Sequence, residues 1–447
     1  MTRTPAPPAS LWRHRDFRRY LTGQSASVAG TSISAMAMPV LAVVQLEATT
    51  GQVAALTVTG QLPPALLALH AGALADRYPK RRQMIISDLV SAGALATVPV
   101  AAGLGTLTLA HLMAVAAVLG AAGALHDAAA ISLLTSLVDR SLIQRGNARV
   151  GALFAVAATG GSNLGAALTA LLGPARALLG DVASHLVSAW CTARLRARET
   201  TPDRNRRKKL RTEIADGLRH VHADPRLSVL TWVNATTSLA LALLNTLWAL
   251  YLLRNLGMSP TAFGVLLGVG AMGAAWGALA APALARRYGP GPMMLGALAL
   301  TPCTQVPLLL ASPGLAWQIV IGCALVVQLA CAGAAGTTQR TIRQTVTASH
   351  MQARMQAVST CLTSGARPLG ALLAGVLGTW AGVRPALAAG SVLLVVPFLV
   401  LLRSPLRGLR QMPPTADPQE ASPHVAIPAP GRAADRAPAD SGDEGRP

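Results

Sequence analysis

The chain alternates apolar runs of about twenty residues with short clusters of arginine and lysine along most of its length. A run of that length, wound as an α-helix, crosses the roughly 30 Å hydrocarbon core of a bilayer. The predicted spans are 18–46, 50–75, 83–103, 106–138, 147–171, 175–193, 228–253, 259–284, 291–311, 315–338, 356–380 and 384–402. Because every backbone polar group must be hydrogen-bonded within the span, these runs predict an all-α membrane protein.

Composition excludes a water-soluble globular protein. Charged residues make up 13% of the chain and apolar residues 52%, whereas soluble domains average about 25% charged residues. A net charge of +20 would indicate nucleic acid if it formed one patch. The cations are instead divided among the gaps between spans, so we expect the lipid bilayer as a partner and no nucleic acid.

The basic clusters predict the topology, because Lys and Arg are retained on the cytoplasmic side of short loops. Clusters on one side of the spans lie at 3–19, 77–82, 140–149, 194–226, 286–287, 340–354 and 403–410. The opposite side has Arg176, Arg254 and Arg384 near helix ends. We therefore expect a multi-pass protein of the plasma (inner) membrane with both termini in the cytoplasm.

The same pattern divides the chain into two halves. The predicted parts are a cytoplasmic N-terminus (1–17), a six-helix half (18–193), a polar cytoplasmic linker (194–226), a second six-helix half (227–403) and a disordered cytoplasmic tail (404–447). The tail is rich in Pro, Ala, Asp and Arg, a composition that cannot bury a core.

A charged motif between spans two and three has an imperfect copy in the second half. The first copy reads GALADRYPKRR from Gly72, and the second reads PALARRY from Pro282. An acid, Asp76, is present in the first copy, and Arg286 replaces it about 210 residues later. This repeat indicates two related halves, as in many secondary transporters.

Twelve spans, a basic central loop and the first copy of the motif resemble the major facilitator superfamily. Three further stretches resemble its exporter branch, which includes siderophore and macrolide efflux proteins: FRRYLTGQ from Phe17, RGNA from Arg145 and RPLGA from Arg367. The likeness covers roughly residues 12–405. Two departures are Pro79, where the superfamily motif usually has glycine, and span five, which lacks the Gly-Pro pair usual in this branch.

The resemblance implies that Gly72, Asp76, Arg77, Lys80 and Arg81 form a gating motif. Asp76 can pair with a neighbouring cation or meet the positive N-terminal end of span eleven, depending on how the halves are tilted. The other interpretation of the cluster is a topology anchor alone. Small residues allow helices to approach closely, and on that basis we expect Gly161 and Gly165 in span five and Gly370 in span eleven to be packing residues.

Ionisable residues inside a membrane are costly and are functional candidates by default. We expect Asp127 and its neighbour His126 to couple transport to protons, because Asp127 lies within span four, roughly 16 Å along the helix from Asp139. The alternative is a polar pair that joins helices. Asp88 is interpreted as a partner of Arg81 or Arg82, and Asp181 as a packing residue.

Five polar residues are candidates for lining a substrate cavity. They are Gln24, Asn163, Asn234, Asn245 and Arg367. The neutral residues can serve as hydrogen-bonding groups or join helices. Arg367 can extend towards the cytoplasm or face the cavity and attract an anionic or polar substrate.

The function expected is a secondary active transporter, a proton-coupled exporter of a small amphipathic molecule such as a drug, a siderophore or a metabolite, working by alternating access as a monomer. Alternatives are an importer or lipid flippase on the same scaffold, or a non-transporting membrane sensor or scaffold. The five cysteines are scattered without metal-ligand spacing. With no phosphate loop or catalytic motif either, no metal, cofactor or enzyme activity is expected.

Overall fold

A computed structural model describes residues 15–137, 143–196, 219, 221–347 and 352–413, and within them all side chains except those of 68–77, 134–137, 143–152, 155, 352–354, 356 and 357. The first six helices are α1 (Arg15–Gln45), α2 (Thr50–Arg77), α3 (Lys80–Gly103), α4 (Leu109–Leu137), α5 (Ile143–Leu172) and α6 (Pro174–Ala193). The second six are α7 (Pro225–Asn255), α8 (Pro260–Tyr288), α9 (Pro290–Leu310), α10 (Leu315–Val346), α11 (Gln352–Trp380) and α12 (Val383–Leu402).

The predicted all-α architecture of twelve spans is confirmed. Within the described residues, nine helices are long and apolar enough to cross a membrane. The other three, α2, α5 and α6, are 28, 30 and 20 residues long, lengths that also suffice to span. Most helix ends lie within a few residues of the sequence prediction.

Proline fixes where several helices begin. α6, α7, α8 and α9 each start with proline, whose fixed φ suits the first helical position and whose missing N–H costs nothing there. Asp224 and Ser259 precede α7 and α8, and their side chains accept hydrogen bonds from the backbone N–H groups of Arg226 and Ala262. Such caps satisfy donors that the helix leaves free.

Two spans of the second half are broken, which the apolar pattern does not reveal. The first part of α9 ends at Cys303 and the first part of α12 ends at Leu393. Pro307 and Pro397 lie four residues further on. A proline removes the hydrogen bond to the carbonyl four residues earlier and its ring clashes with that carbonyl, so each break lies at the carbonyl that its proline leaves without a donor.

The two halves repeat one packing scheme. In the first half α1 packs against α5 and α6, α2 against α4, and α3 against α4 and α6. In the second half α7 packs against α11 and α12, α8 against α10, and α9 against α10 and α12. Adding six to each helix number converts the first set into the second, so the halves are structural repeats.

Among the described residues, the two halves share one apolar core, which lies at one end of the bundle. We call the end with the α2–α3 turn the basic end, and the end with the α1–α2 turn the opposite end. The largest apolar core contains residues of both halves, including Leu41, Val53, Leu244 and Leu252, near the opposite end. Towards the basic end three further cores belong to one half each: one around Tyr20, one around Met294 and Leu298, and one around Leu227 and Val358.

The start of the predicted disordered tail is ordered, which corrects the expectation for that stretch. Pro405–Gly408 forms a 3-10 turn, Leu406 is buried, and the Leu409 carbonyl accepts a hydrogen bond from the Gly291 N–H at the start of α9. The two leucines give this stretch an apolar anchor. Residues 414–447, and 197–218 and 220 of the predicted linker, lie outside the described residues.

Glycines lie where helix backbones come closest. A Cβ at Gly161 would collide with the Ala29 carbonyl oxygen of α1, and one at Gly165 would lie 2.9 Å from Ile33 Cα. A Cβ at Gly370 of α11 would likewise collide with the Leu239 carbonyl oxygen of α7. The α1–α5 and α7–α11 contacts thus both depend on the missing side chain.

Replacing Gly161 by alanine should force α5 away from α1 and lower the free energy of unfolding by about 1–3 kcal/mol, the usual cost of an inserted methyl group in a tight contact. Thermal unfolding of the purified protein in detergent measures this change. Gly160→Ala is the matched control, because a Cβ there meets nothing within 4 Å. Equal melting temperatures for the two variants would contradict the packing role.

Candidate functional site

A buried polar network lies inside the first half. Asp88 of α3 is fully buried, and its Oδ1 lies 3.0 Å from Nδ1 of His185 on α6 and 3.3 Å from Nδ1 of His126 on α4. Both histidines are largely shielded as well, with side chains 12% and 7% exposed. One carboxylate oxygen therefore faces two imidazole rings from two other helices.

Both ends of this network reach α1. Nε2 of His126 lies 2.8 Å from the amide nitrogen of Gln24, so the amide donates and the ring nitrogen accepts. Nε2 of His185 lies 3.6 Å from Oδ1 of Asp181, whose other oxygen accepts a hydrogen bond from the Ser34 hydroxyl. The network thus joins α1, α3, α4 and α6 through charged or chargeable groups.

The orientation of Gln24 determines which proton His126 can carry. While the Gln24 amide group donates to Nε2, that nitrogen must be unprotonated, and the ring proton lies on Nδ1, which faces Asp88. A second proton on Nε2 would require Gln24 to turn its amide oxygen towards the ring. The protonation of His126 is therefore linked to one side-chain rotation on α1.

Sequence reasoning missed part of this network. Asp88 contacts two histidines rather than Arg81 or Arg82, and His185 was not singled out at all. The available signal was the i, i+4 spacing of Asp181 and His185, which places both on one face of α6. Helix spacing shows that residues share a face, but it does not show which other helix that face meets.

Asp127 is placed differently from its neighbour His126. Its side chain is exposed although it lies well inside α4, and Ile131, one turn further on, is 71% exposed. The buried residues around it are His126, on the side of α1 and α3, and Ala130, whose carbonyl accepts from the Tyr20 hydroxyl. Asp127 lies next to the network without being part of it.

The other predicted cavity residues are placed between helices or on open surfaces. Gln24 is buried against His126 and so joins α1 to α4, the second of the two roles considered for it. Asn163 lies where α5 meets Gly268 of α8 in the other half, and Asn234 joins α7 to α11 through Thr363 at 2.8 Å. Asn245 is exposed on α7. Amides that find a partner on another helix are a common form of interhelical contact.

Arg367 is exposed in the middle of α11. It shares a helix face with Ala371, Ala374 and Gly378, at spacings of four, seven and eleven residues. Near the opposite end this face is buried, and a Cβ at Gly378 would lie 2.6 Å from Thr50 of α2. Arg367 lies on the same face but nearer the basic end, where the apolar cores belong to one half each.

Arg343 was interpreted as part of a basic loop, and the structure corrects this. α10 continues to Val346, so Arg343 lies in its last turn and is 8% exposed. Its guanidinium donates to Ser359 Oγ of α11 at 2.6 Å and to Gln339 Oε1 at 3.2 Å. Neutral acceptors on two helices make this burial possible.

The gating motif lies at the basic end. Gly72, Asp76 and Arg77 belong to the last turns of α2, and their side chains lie outside the described residues. Lys80 begins α3, and the Arg81 guanidinium donates to the Ala193 carbonyl at the end of α6. This bond ties the α2–α3 turn to α6 of its own half.

Comparison with known proteins gives consistent matches. The family model described as transmembrane secretion effector matches residues 6–430. The multidrug efflux pump Tap of Mycobacterium tuberculosis is 29% identical over 402 residues, which is 88% of this chain and 94% of Tap. The Tap protein of Mycolicibacterium fortuitum is 28% identical over 383 residues, which is 83% of this chain and 90% of that protein.

Solved structures agree on the fold. A bacterial homologue of the iron transporter ferroportin, in an inward-facing state, superposes with a TM-score of 0.71 at 16% identity, over 87% of this chain and 98% of that one. The nucleoside transporter NupG superposes with a TM-score of 0.67 at 10% identity, over 87% and 98%. The predicted major facilitator fold is confirmed.

Asp88→Ala should remove the acceptor that His126 and His185 share and lower the free energy of unfolding by about 3 kcal/mol, the usual cost of breaking a buried charged pair. The melting temperature in detergent should fall by several degrees. Asp16→Ala is the control in the same half, because its ion pair with Arg19 and its hydrogen bond from the Arg196 N–H are both solvent-accessible, and surface pairs contribute about 1 kcal/mol or less. A fall no larger than that of the control would contradict the network's structural role.

Proposed function

We propose that this chain, which belongs to the transmembrane secretion effector family of the major facilitator superfamily, exports a small amphipathic organic molecule in exchange for protons. It is a multi-pass membrane transporter and not an enzyme. The observation that carries the proposal is the position of Asp127: an exposed carboxylate within a span, beside a buried histidine network. An acid so placed is costly in a membrane unless it has a function.

Alternating access accounts for the separate cores at the basic end. Transporters built from two repeats move one half against the other around a site near the middle of the bilayer. The core that both halves share lies at the opposite end, and the cores towards the basic end lie within one half each, as expected if the halves part at the basic end. With the basic end in the cytoplasm of a bacterial inner membrane, and both termini on that side, this conformation would receive substrate from inside the cell.

Proton coupling would use Asp127 and His126 together. Asp127 can take up a proton from the cavity while His126 holds one towards Asp88 and is limited at Nε2 by Gln24. Binding of a proton and of a substrate in the same cavity can exclude one another, as exchange requires.

The substrate class follows from the charges of the two halves. The second half has no Asp or Glu between Asp224 and Asp417, and it contributes Arg367, which is exposed in the middle of α11. The first half contributes Asp127. A molecule with an apolar body and a polar or charged group suits such a cavity, and the relatives named multidrug efflux pumps support this class.

The motif around Asp76 would stabilise closure of the basic end. In this role Asp76 meets the N-terminal end of α11 when the halves close there, since a carboxylate is favoured at a helix N-terminus. Lys80 and Arg81 hold the α2–α3 turn at that end, and Gly72 permits close approach. The second copy cannot do this, because Arg286 replaces the acid.

Cells that carry the protein should accumulate less of a transported dye or antibiotic than cells without it, and a proton uncoupler should abolish the difference. Asp127→Asn should abolish export against a gradient while leaving passive exchange down a gradient, because the site stays intact without its titratable group. Uptake assays in cells and in proteoliposomes measure both.

The controls separate coupling from folding. Asp127→Glu keeps a carboxyl group and should retain part of the uphill export. Immunodetection of each variant in the membrane shows that it is inserted. Full uphill export by Asp127→Asn, or export that persists with the uncoupler, would refute proton coupling through this residue.

Asp76→Asn should slow turnover several-fold with little change in apparent affinity, because it weakens closure of the basic end without touching the cavity. The initial rate of export at saturating substrate measures this. Arg286→Gln at the matching place in the second half is the control and should keep a nearly normal rate. If Asp76→Asn also keeps the normal rate, the motif is an anchor for topology.

A further inference from the structure

Two π-helical turns lie at the opposite end of the bundle, one in each half. They are Leu41–Gln45 at the end of α1 and Tyr251–Asn255 at the end of α7, separated by the same interval as the two copies of the charged motif. The hydrogen bonds that follow them also correspond: Leu46 N to Leu41 O and Leu256 N to Tyr251 O are both 3.1 Å, and Ala48 N to Ala42 O and Met258 N to Leu252 O are both 2.9 Å. Such turns are rare and are frequent at functional sites.

The two turns contact each other, and one side chain joins them. The Arg254 guanidinium of the second half donates to the Val43 carbonyl of the first half at 3.0 Å. Val43 lies in the last turn of α1, where backbone carbonyls have no N–H donor within the helix. Arg254 supplies a charged donor to this carbonyl, and a hydrogen bond from a charged donor is stronger than one between neutral groups.

Glu47 adds a second unusual feature two residues after the first turn. Its φ is +48°, in the left-handed region, whereas the residue at the corresponding place after the second turn is Gly257, with a φ of +63°. Glycine adopts this conformation freely, and other residues are strained in it. Glutamate is thus present where the repeat shows that glycine would fit.

Glu47 and Arg254 line one cleft. Both side chains are exposed, and the cleft of about 480 Å³ is completed by Val43, Val44 and Leu253. The acid belongs to the first half and the cation to the second. Glu47 lies in the loop that follows Val43, and its carboxylate is at the end of a flexible side chain. It can therefore stay within reach of the Arg254 guanidinium when that group moves away, whereas the Val43 carbonyl is fixed in the backbone.

We propose that Arg254 is the latch of the opposite end and that it changes partner from the Val43 carbonyl to the Glu47 carboxylate as the halves separate there. The carbonyl bond holds the closed state, and the carboxylate stabilises the opening state. The proposal rests on the alternating access of the proposed function. Its test uses neither substrate nor protons, so the two can fail separately.

The test follows the separation of α2 and α11 through a buried position. Ala54 is 3% exposed and lies against Gly375 of α11, where a Cβ would be 2.7 Å from Ala54 Cβ. In a protein whose five native cysteines are replaced, Ala54→Cys should react with a water-soluble maleimide only when the halves part. The labelling rate of the purified protein in detergent then reports how often the opposite end opens.

Arg254→Gln should raise this labelling rate about tenfold, because a charged hydrogen bond that holds the closed state is lost. Arg254→Lys, which keeps the charge with fewer donors, should give a smaller increase. Glu47→Gln should lower the rate several-fold, because the opening state loses its ion pair. Arg176→Gln, at the same end but outside the contact between the halves, is the control and should leave the rate unchanged.

The Arg254 and Glu47 variants should change the labelling rate in opposite directions, so the two parts of the proposal can be refuted separately. An unchanged rate in both Arg254 variants overturns the latch. An unchanged or higher rate in Glu47→Gln overturns the exchange of partners. Equal melting temperatures of the variants exclude a general loss of structure as the cause of faster labelling.

Discussion

Close approach of helix backbones at small residues is the interaction on which this structure depends. Inside a bilayer, helices gain little from burying apolar surface against one another, so packing and hydrogen bonds must hold them together. The contacts of α8 with α10 illustrate this, because Gly273 and Gly277 lie against the backbone of Val326 and Ala330. The two halves use the same device, and where they meet, Gly264 and Gly375 extend it from one half to the other.

The two halves bury different kinds of charged group. Buried acids and histidines lie in the first half, around Asp88 and Asp181, and the stretch from Asp224 to Asp417 contains no other acid. The second half buries a cation, Arg343, which donates to two neutral acceptors. Two halves of one fold have thus diverged in the charge that they bury.

The sequence predicted the spans well because each depends on a local property, the length of an apolar run. It did not predict that α9 and α12 are broken, although Pro307 and Pro397 carry the signal, because other spans tolerate proline inside: α2 runs on through Pro63 and Pro64. The site was harder to predict. Asp127 and His126 were found because they are ionisable within a span, whereas the contacts of Asp88 with His185 and of Gln24 with His126 depend on how separate helices are rotated against each other.

The breaks in α9 and α12 make the second half mechanically unlike the first. Their counterparts α3 and α6 run without interruption, α3 even through Pro99, and they hold Asp88, Asp181 and His185. A helix that is already interrupted at a proline bends there with little further loss of hydrogen bonds. The second half can therefore bend at the breaks in α9 and α12 while α3 and α6 keep these polar groups in register.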